Sequence, residues 1–448
     1  MLEAGGMSGS VHLMGIGGTG MSALARWYLH LGWRVSGCDL SEGEETGRLS
    51  SLGIEVRKGH NPDHLKGIDC LVFSAAVPSD NPELRAAREE GITVLRRSEA
   101  LAELTAGSET AAISGAHGKT TTTALIGWIL QSAGMDPLVM AGGSSVAWDG
   151  NFRAGDGPRV VEADEYDRAF LRLTPKWSCV TSFDREHLEC YGNEEVLSTA
   201  FSIFLEMTLP GGGIVVPEDR KGLAYWAERL ERKVVTTGRG GDLHCASRGP
   251  SDWGELYEVA RHSGRIPLPG AHNLRNCESA FAVCGLIGVP IGECVRSVES
   301  FPGVSRRLER LKGEGDGERL LISDYAHHPA EMESAIRAVQ RMDRGEVGVV
   351  FQPHLYSRTA ALSEQMGKAL SLADWSLVLP IFPAREEPVP GIDNRLVANA
   401  ARRLGARCQT CTEEELAEKL ASLRSRVVIF MGAGSVDAMA RRLVEESV

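Results

Sequence analysis

The sequence predicts an α/β protein built from three α/β domains in series. Short apolar strands alternate with amphipathic helical stretches along its 448 residues, and this rhythm restarts twice. Strand–helix alternation is typical of parallel sheets covered by helices. The restarts near residues 107 and 303 predict domains at 1–107, 108–303 and 304–448. The composition agrees, because 43% hydrophobic and 24% charged residues are values of folded globular proteins.

The overall charge and the cysteine usage restrict the class of protein. A net charge of −12 disfavours a nucleic-acid partner, since such proteins carry basic surfaces. No run of 18 apolar residues predicts a membrane span, and Met1–Ser10 lacks a secretory pattern. The ten cysteines show no disulfide spacing, and the single C-x-x-C pair at Cys408 and Cys411 is a weak metal signal. We therefore expect a cytoplasmic protein with reduced thiols. The oligomeric state is not indicated.

The first domain opens with a glycine loop. The strand SVHLMGI runs into GIGGTG, and an amphipathic helix follows. Glycines at 15, 17 and 20 give the G-x-G-x-x-G spacing of a diphosphate-binding turn, and Asp39 ends the next strand, where an acid contacts a ribose hydroxyl. The motif predicts a nucleoside diphosphate but does not separate NAD from a UDP-sugar. A structural turn without a ligand is the alternative.

The second domain opens with a different loop, SGAHGKTTTTA. Gly-Lys-Thr stands between a strand and a helix, as in phosphate loops, although Ile113 at five residues before Gly118 departs from the usual spacing. Backbone N–H groups from Gly115 to Thr121 would cradle phosphates, Lys119 would neutralise them, and Thr120 would reach Mg²⁺. The alternative is a glycine-rich turn with a surface lysine.

Acidic and basic residues follow several later strands. Glu162, Asp164, Glu165 and Asp167 come directly after an apolar strand, where a carboxylate beside a phosphate loop usually holds Mg²⁺. Taken alone, a solvated acidic loop is the better interpretation. His187 lies between acids, as a structural residue or a ligand. The stretches PGAHNLRN, FPGVSRRLE, SDYAHHPAE and FQPHLYSRT then place His, Arg and Asn at strand ends, which predicts one cleft between domains.

These motifs resemble, in order along the chain, those of the Mur ligases of peptidoglycan synthesis. The resemblance rests on GIGGTGMS, GAHGKTTT, VVEADEYDRAF, PGAHNLRN, FPGVSRRLE, DYAHHPAE, FQPHLYSRT, PAREEPVPGI and GAGS. It is greatest to the branch that adds L-alanine to UDP-N-acetylmuramate. It implies a Rossmann-like N-terminal domain for the UDP-sugar, a central P-loop-type ATPase domain, and a Rossmann-like C-terminal domain that presents the amino acid. A ligase of this kind needs both glycine loops.

The resemblance also implies a reaction. ATP and Mg²⁺ would convert the lactyl carboxylate of UDP-N-acetylmuramate into an acyl phosphate. The amine of L-alanine would then displace phosphate and form an amide.

Site residues carry over from the same motifs. The implied catalytic residues are Lys119, Glu162, His187 and Arg358, with Thr120, Glu162 and His187 as metal ligands. ATP would contact Gly115, Ala116, His117, Gly118, Lys119, Thr120, Thr121, Asn273, Asn276, Arg307 and Asp324. The UDP-sugar would contact Gly17, Gly18, Thr19, Gly20, Met21, Asp39 and Ser74. L-alanine would contact Tyr325, His327, His354 and Arg358.

Several positions depart from the family pattern. Ala116 replaces a threonine, and Glu186 and Glu189 replace aspartates around His187. Leu355 stands where many members have arginine, and Ser323 replaces the first of two aspartates. The stretch STAFSIFLEMTL offers no lysine for the carbamylation found in sister ligases, which fits the L-alanine branch.

Three alternatives stay open at this point. A recycling ligase would attach a whole peptide to the same UDP-sugar, although FQPHLYSRT fits the L-alanine branch better. An NAD-dependent oxidoreductase would explain GIGGTG and Asp39 but leaves Lys119 and Glu162 unexplained. A regulatory ATPase leaves the histidines and arginines of the third domain without a role.

Overall fold

The computed structural model describes residues 9–183, 191–312, 319–342, 345–384 and 386–445. The chain forms two compact units. The first takes in the described parts of Met1–Cys245 and Arg275–Val298, and the second those of Ala246–Leu274 and Glu299–Val448. Parallel sheets dominate both units, which confirms the α/β class. The predicted domain limits stay predictions.

The first sheet has the order β3-β2-β1-β4-β5, with all neighbouring strands parallel. Its strands are β1 Ser10–Met14, β2 Arg34–Asp39, β3 Glu55–Lys58, β4 Cys70–Phe73 and β5 Thr93–Arg96. The helices are Thr19–His30, Glu44–Ser51, Pro82–Glu89 and Arg97–Thr105, with a 3₁₀ turn at Pro62–Leu65. Because the strand order reverses at the central β1, the first glycine loop lies at the switch point where such sheets bind ligands.

The second sheet has the order β12-β11-β10-β6-β9-β7-β8 and is parallel except for the β7–β8 pair. Its strands are β6 Thr110–Ser114, β7 Leu138–Ser145, β8 Gly150–Arg153, β9 Arg159–Glu162, β10 Trp177–Val180, β11 Gly213–Pro217 and β12 Lys233–Thr237. The helices of this part are Lys119–Ser132, Glu194–Glu206, Lys221–Glu228, Ala271–Ile287 and Ile291–Val298, with 3₁₀ turns at Val146–Trp148 and Tyr166–Arg172. The phosphate loop connects the central β6 to its helix.

One hydrophobic core joins these two sheets within the first unit. The ring of Trp27, fully buried on the helix Thr19–His30, lies 6.4 Å from that of Phe152 on β8. The guanidinium of Arg159 lies 5.6 Å from the Trp27 ring and donates to the carbonyl oxygen of Leu104. The two glycine loops are therefore held on one continuous scaffold.

A three-stranded antiparallel sheet, which the sequence did not predict, belongs to the second unit. Its strands are β13 Ala246–Ser251, β14 Gly254–Val259 and β15 His262–Ile266. Trp253, in the turn between β13 and β14, packs into a core of that unit, and Arg310 lies 5.5 Å from its ring. This packing explains why the sheet belongs to the same compact unit as the C-terminal part of the chain.

The main sheet of the second unit has the order β16-β17-β21-β18-β19-β20, parallel except for β16–β17. Its strands are β16 Glu309–Lys312, β17 Leu320–Asp324, β18 Val347–Phe351, β19 Trp375–Val378, β20 Cys408–Thr410 and β21 Val427–Met431. The helices are Pro329–Gln340, Tyr356–Leu370, Arg395–Arg403, Leu416–Ser422 and Val436–Glu445. Successive residues enter different cores, Val349 one and Val350 the other, so helices cover both faces.

Two further expectations concern the chain as a whole. Among the described helices, none combines the length and the apolar character that crossing a membrane requires. The nine described cysteines are free and buried, as expected for reduced thiols, and Cys190 lies outside the described residues.

Candidate active site

The phosphate loop has a backbone that only glycine accommodates at two positions. Gly115 and Gly118 have φ of +127° and +84°. A Cβ atom at Gly115 would lie 2.4 Å from the hydroxyl oxygen of Thr181, and one at Gly118 would lie 2.2 Å from the amide oxygen of Asn276. The loop is thus tightly enclosed, and Asn276, predicted to contact ATP, packs directly against it.

Thr181 and Ser182, which directly follow β10, hold the phosphate loop through hydrogen bonds. The N–H of Ala116 donates to the carbonyl of Ser182 at 3.1 Å, and that of His117 donates to the Ser182 hydroxyl at 2.8 Å. The Thr181 hydroxyl donates to the carbonyl of His117 at 2.6 Å. These two N–H groups are engaged within the protein. At the start of the next helix, the N–H groups of Lys119, Thr120 and Thr121 have no carbonyl partner inside the helix, and the N–H of Thr122 is the first that donates, to the carbonyl of Gly118 at 2.9 Å.

Lys119 folds back over its own loop. Its ammonium donates to the carbonyl of Gly115 at 2.7 Å and to Glu165 at 2.9 Å. Burial alone would lower the pKa of Lys119, but the carboxylates of Glu165, Glu162 and Asp164 outweigh this and raise it. The side chain is therefore a cation held at the helix start, where a phosphate would lie.

Thr120 and Glu162 meet at the end of β9. The hydroxyl of Thr120 donates to Glu162 at 2.8 Å, and the N–H of Gly142 donates to the same carboxylate oxygen at 2.6 Å. Burial raises the pKa of Glu162, although Lys119 opposes the shift. Two adjacent oxygen donors in an acid-rich cluster fit Mg²⁺, which prefers oxygen ligands. The third predicted ligand, His187, lies outside the described residues, as do Glu186 and Glu189.

The first glycine loop is held by backbone contacts. The N–H of Gly15 donates to the carbonyl of Cys38 at 2.8 Å, and the N–H of Gly17 donates to the carboxylate of Asp39 at 2.9 Å. The Asp39 carboxylate also accepts from the N–H of Ser41 at 3.1 Å. Asp39 therefore shapes the loop itself. Ser74 lies beside Gly15, 3.2 Å from where a Cβ would stand.

The other predicted UDP-sugar residues lie at the start of the helix Thr19–His30. The N–H of Gly18 donates to the carbonyl of Gly15 at 3.1 Å, and the amide of Asn151 donates to the carbonyl of Thr19 at 2.5 Å. The Met21 side chain is buried in the core, so only its backbone is placed to contact a ligand.

Arg97 is a candidate that sequence reasoning missed. Its guanidinium would lie 2.7 Å from a Cβ at Gly20, and it pairs with Asp164 at 3.5 Å. Arg97 thus stands between the first glycine loop and the acidic cluster that follows β9. Its only sequence signal is its position directly after β5, at a strand end.

The second unit brings together the four residues predicted for the amino acid. The ring of His327 lies 5.4 Å from that of Tyr325 and 6.1 Å from that of His354. Burial lowers the pKa of His327 to about 4, and the positive charge of Arg358 acts in the same direction. Burial and Arg358 also lower the pKa of His354. Arg358 makes no hydrogen bond or ion pair with any other residue that the structure describes.

Two arginines and Asp324 border this cluster. The guanidinium groups of Arg306 and Arg307 lie 4.7 and 5.2 Å from the ring of Tyr325. Arg306, which sequence reasoning missed, also donates to the carbonyl of Gly432 at 2.7 Å. Asp324 accepts from the N–H groups of Leu308 and Ala326, both at 2.8 Å. Burial raises the pKa of Asp324 to about 6, against the charge of Arg307.

The remaining predicted positions have local roles in the structure. The Ser323 hydroxyl donates to Asp437 at 2.5 Å, so the serine at this position has a carboxylate partner. Leu355 precedes the helix Tyr356–Leu370 with φ of +71°. The amide of Asn273 donates to the carbonyl of Pro269 at 2.9 Å within the second unit.

Three family descriptions match consecutive parts of the chain. They are "Mur ligase family, catalytic domain" over residues 10–109, "Mur ligase middle domain" over 113–284 and "Mur ligase, glutamate ligase domain" over 306–434.

Individual relatives match nearly the whole chain. A UDP-N-acetylmuramate–L-alanine ligase from Chlorobaculum parvum is 38% identical over 98% of this chain and 96% of its own. One from Kineococcus radiotolerans is 42% identical over 88% of this chain and 86% of its own. The crystal structure of a UDP-N-acetylmuramate–alanine ligase from Thermotoga maritima matches with a TM-score of 0.85 and 28% identity, over 98% of this chain and 99% of that one.

Proposed function

The chain belongs to the Mur ligase family, and from that premise we propose that it joins L-alanine to UDP-N-acetylmuramate in an ATP-dependent reaction of peptidoglycan synthesis. The motifs occur in the order typical of the family, and relatives that are UDP-N-acetylmuramate–L-alanine ligases match most of the chain. Both observations support the L-alanine branch rather than an oxidoreductase or a regulatory ATPase.

The observation that carries the proposal is the pairing of two different loops on one scaffold. The phosphate loop holds Lys119 beside Glu165 at 2.9 Å and Thr120 beside Glu162 at 2.8 Å. The first glycine loop belongs to the same compact unit, and Arg97 contacts both its edge and Asp164. A ligase that phosphorylates a carboxylate on a UDP-sugar needs a nucleotide triphosphate and a sugar nucleotide held together.

The chemistry follows from the poor reactivity of a carboxylate. An oxygen of the lactyl carboxylate attacks the γ-phosphorus of ATP, the bond to ADP breaks, and an acyl phosphate forms. The amine nitrogen of L-alanine then attacks the acyl carbon and phosphate leaves, while the amine loses its proton. Lys119 and the N–H groups of the first helical turn stabilise the phosphate charge during the first step.

Mg²⁺ and the amino-acid contacts are part of the same proposal. Thr120 and Glu162 would hold the ion, which neutralises phosphate charge when bound. Arg358 would pair with the carboxylate of L-alanine and would supply the positive charge there, because the lowered pKa values of His327 and His354 keep those imidazoles neutral. Since ATP and sugar nucleotides are cytoplasmic metabolites, we place the enzyme in the cytoplasm.

Phosphate release tests the proposal. The full chain is supplied with ATP, Mg²⁺ and UDP-N-acetylmuramate, and either L-alanine or the tripeptide L-alanyl-γ-D-glutamyl-diamino acid is added. We expect release that requires both the sugar nucleotide and L-alanine. Release with the tripeptide alone would assign the chain to the recycling branch, and release without any amino acid would assign an ATPase.

A further inference from the structure

A buried group of metal-binding side chains lies beneath the first glycine loop. It contains His12 on β1, Cys38 on β2, His64 in the 3₁₀ turn Pro62–Leu65, and Glu83 in the helix Pro82–Glu89. We call these four residues the His–Cys–Glu cluster. The side chains of His12 and Glu83 are fully buried, and Cys38 is equally inaccessible. None of the four side chains has a role in the proposed ligase reaction.

The donor atoms of the four residues lie close enough together to surround one small ion. One ligand atom from each residue lies within 4.8 Å of all the others. Nε2 of His12 and Nδ1 of His64 are 3.1 and 3.2 Å from Oε1 of Glu83, and Sγ of Cys38 is 3.5 Å from Oε2. Tetrahedral zinc with nitrogen, oxygen and sulfur ligands at 2.0–2.3 Å has edges of about 3.3–3.7 Å. Zinc binding would bring one oxygen of Glu83 and the other three donor atoms to these separations.

The orientation of the His12 ring supports this arrangement. Nε2 of this fully buried ring points into the cluster and lies 3.1 Å from Oε1 of Glu83. Its other nitrogen, Nδ1, lies 2.9 Å from the hydroxyl of Ser36, which fixes the ring. Histidines that bind metals typically use one nitrogen for the ion and the other for such a supporting contact.

We propose that His12, Cys38, His64 and Glu83 bind a zinc ion. The Cys38 thiol loses its proton to solvent on binding, so that thiolate and carboxylate balance the two charges of the ion. A thiolate and two imidazoles select zinc over magnesium, which takes oxygen ligands. His60, with Nδ1 3.2 Å from the Cys38 sulfur, supports the site from outside.

A zinc ion at this position would also affect the first glycine loop, because Cys38 contacts that loop through its backbone. The backbone carbonyl of Cys38 accepts the N–H groups of Gly15 and Ile16 at 2.8 and 3.1 Å. The next residue, Asp39, accepts from Gly17. A ligand that holds the Cys38 side chain therefore also restrains the carbonyl that positions the loop. The zinc site does not depend on which nucleotide the loop binds.

Cobalt binding to the full-length protein tests the proposal directly. The chain is stripped with a chelator under reducing conditions and titrated with Co²⁺. We expect a thiolate-to-cobalt charge-transfer band that saturates in stoichiometric amount and disappears when Zn²⁺ is added. Absence of this band in the native sequence would overturn the proposal and would leave the cluster as a hydrogen-bond network only.

Two variants identify the ligands. Cys38→Ser should lose the charge-transfer band, whereas Cys70→Ser should keep it, because Cys70 is a buried free cysteine of the same sheet outside the cluster. If Cys38→Ser does not fold, His64→Gln serves instead, since His64 is partly accessible, and should weaken Zn²⁺ binding at least about tenfold. A band of unchanged strength in Cys38→Ser, or an unchanged affinity in His64→Gln, would contradict the assignment.

Discussion

The two glycine loops share a strand–loop–helix geometry but differ in how charge is arranged around them. The first is held by neutral backbone contacts and by Asp39, which accepts the N–H of Gly17 at 2.9 Å. The second carries Lys119 at its helix start, in contact with Glu165 and close to Glu162. Arg97, at the edge of the first loop, brings a cation near Gly20.

This difference assigns different work to the two loops. A loop with few charges positions a ligand through backbone N–H groups, which suits a diphosphate that does not react. A loop with a buried cation and oxygen donors stabilises charge that moves during phosphoryl transfer. Substitutions in the second loop should therefore affect turnover or the binding of ATP, and those at the first should affect binding of the sugar nucleotide.

Removal of the buried cation should have the largest effect. Lys119→Ala should lower kcat by about 10²–10³-fold, as expected when a preorganised group that stabilises transition-state charge is lost. Binding of UDP-N-acetylmuramate, measured by calorimetry, should stay nearly unchanged. Lys176→Ala, which removes a half-exposed lysine of the same unit paired with Glu109, is the control. Equal losses of turnover and sugar binding would refute the division between the loops.

A methyl group in the phosphate loop should have the next largest effect. Gly118→Ala places a Cβ 2.2 Å from the amide of Asn276 at a φ of +84°. Such strain costs about 1–3 kcal/mol, and when the ATP-bound loop carries it, this corresponds to an increase of about fivefold to 150-fold in the Kd for ATP. Gly47→Ala meets no atom within 4 Å and is the control. Wild-type ATP affinity in Gly118→Ala would show that the loop opens more easily than the structure indicates.

Binding of the carboxylate of L-alanine should depend on Arg358 and on neither glycine loop. Arg358→Ala should raise the KM for L-alanine by about tenfold or more, because a hydrogen bond to a charged group is worth about 1.5–3 kcal/mol. The KM for ATP should change little in the same steady-state measurements. Arg395→Ala, which removes an exposed arginine paired with Asp393, is the matched control. An unchanged KM for L-alanine would exclude Arg358 from the site.

The smallest expected effect concerns the first loop. Arg97→Ala should raise the KM for UDP-N-acetylmuramate by only about threefold to tenfold, because the side chain is partly exposed and its pair with Asp164 is worth little in water. The KM for ATP should not change. Arg172→Ala removes a neighbouring arginine paired with Glu99 and is the control. A larger increase in the KM for ATP than in the KM for UDP-N-acetylmuramate would show that Arg97 serves the second loop instead of the first.

Much of this site was predictable because its parts are close in the sequence. Lys119 and Thr120 follow Gly118 directly, so one local turn places them together at a helix start. Strand–helix alternation likewise predicts the parallel sheets, since each unit of that alternation is local. The roles assigned to individual site residues stay predictions.

Contacts between distant segments were not predictable in the same way. Arg97 meets Asp164 although 67 residues separate them, and nothing in either segment indicates the other. The antiparallel strands β13–β15 were missed because their short polar segments resemble loops. The His–Cys–Glu cluster draws single residues from four elements, and none of these belongs to a metal-binding motif.

By itself, the sequence determined the α/β class, the two glycine loops and the family, because turn geometry and strand–helix periodicity depend on neighbouring residues. Only the tertiary structure decided which side chains share a site: that Glu162 meets Thr120, that Arg97 borders Gly20, and that His12 comes together with Cys38, His64 and Glu83. Those pairings are made when strands distant in the chain align in one sheet and the core between sheets closes, and no local pattern records that alignment.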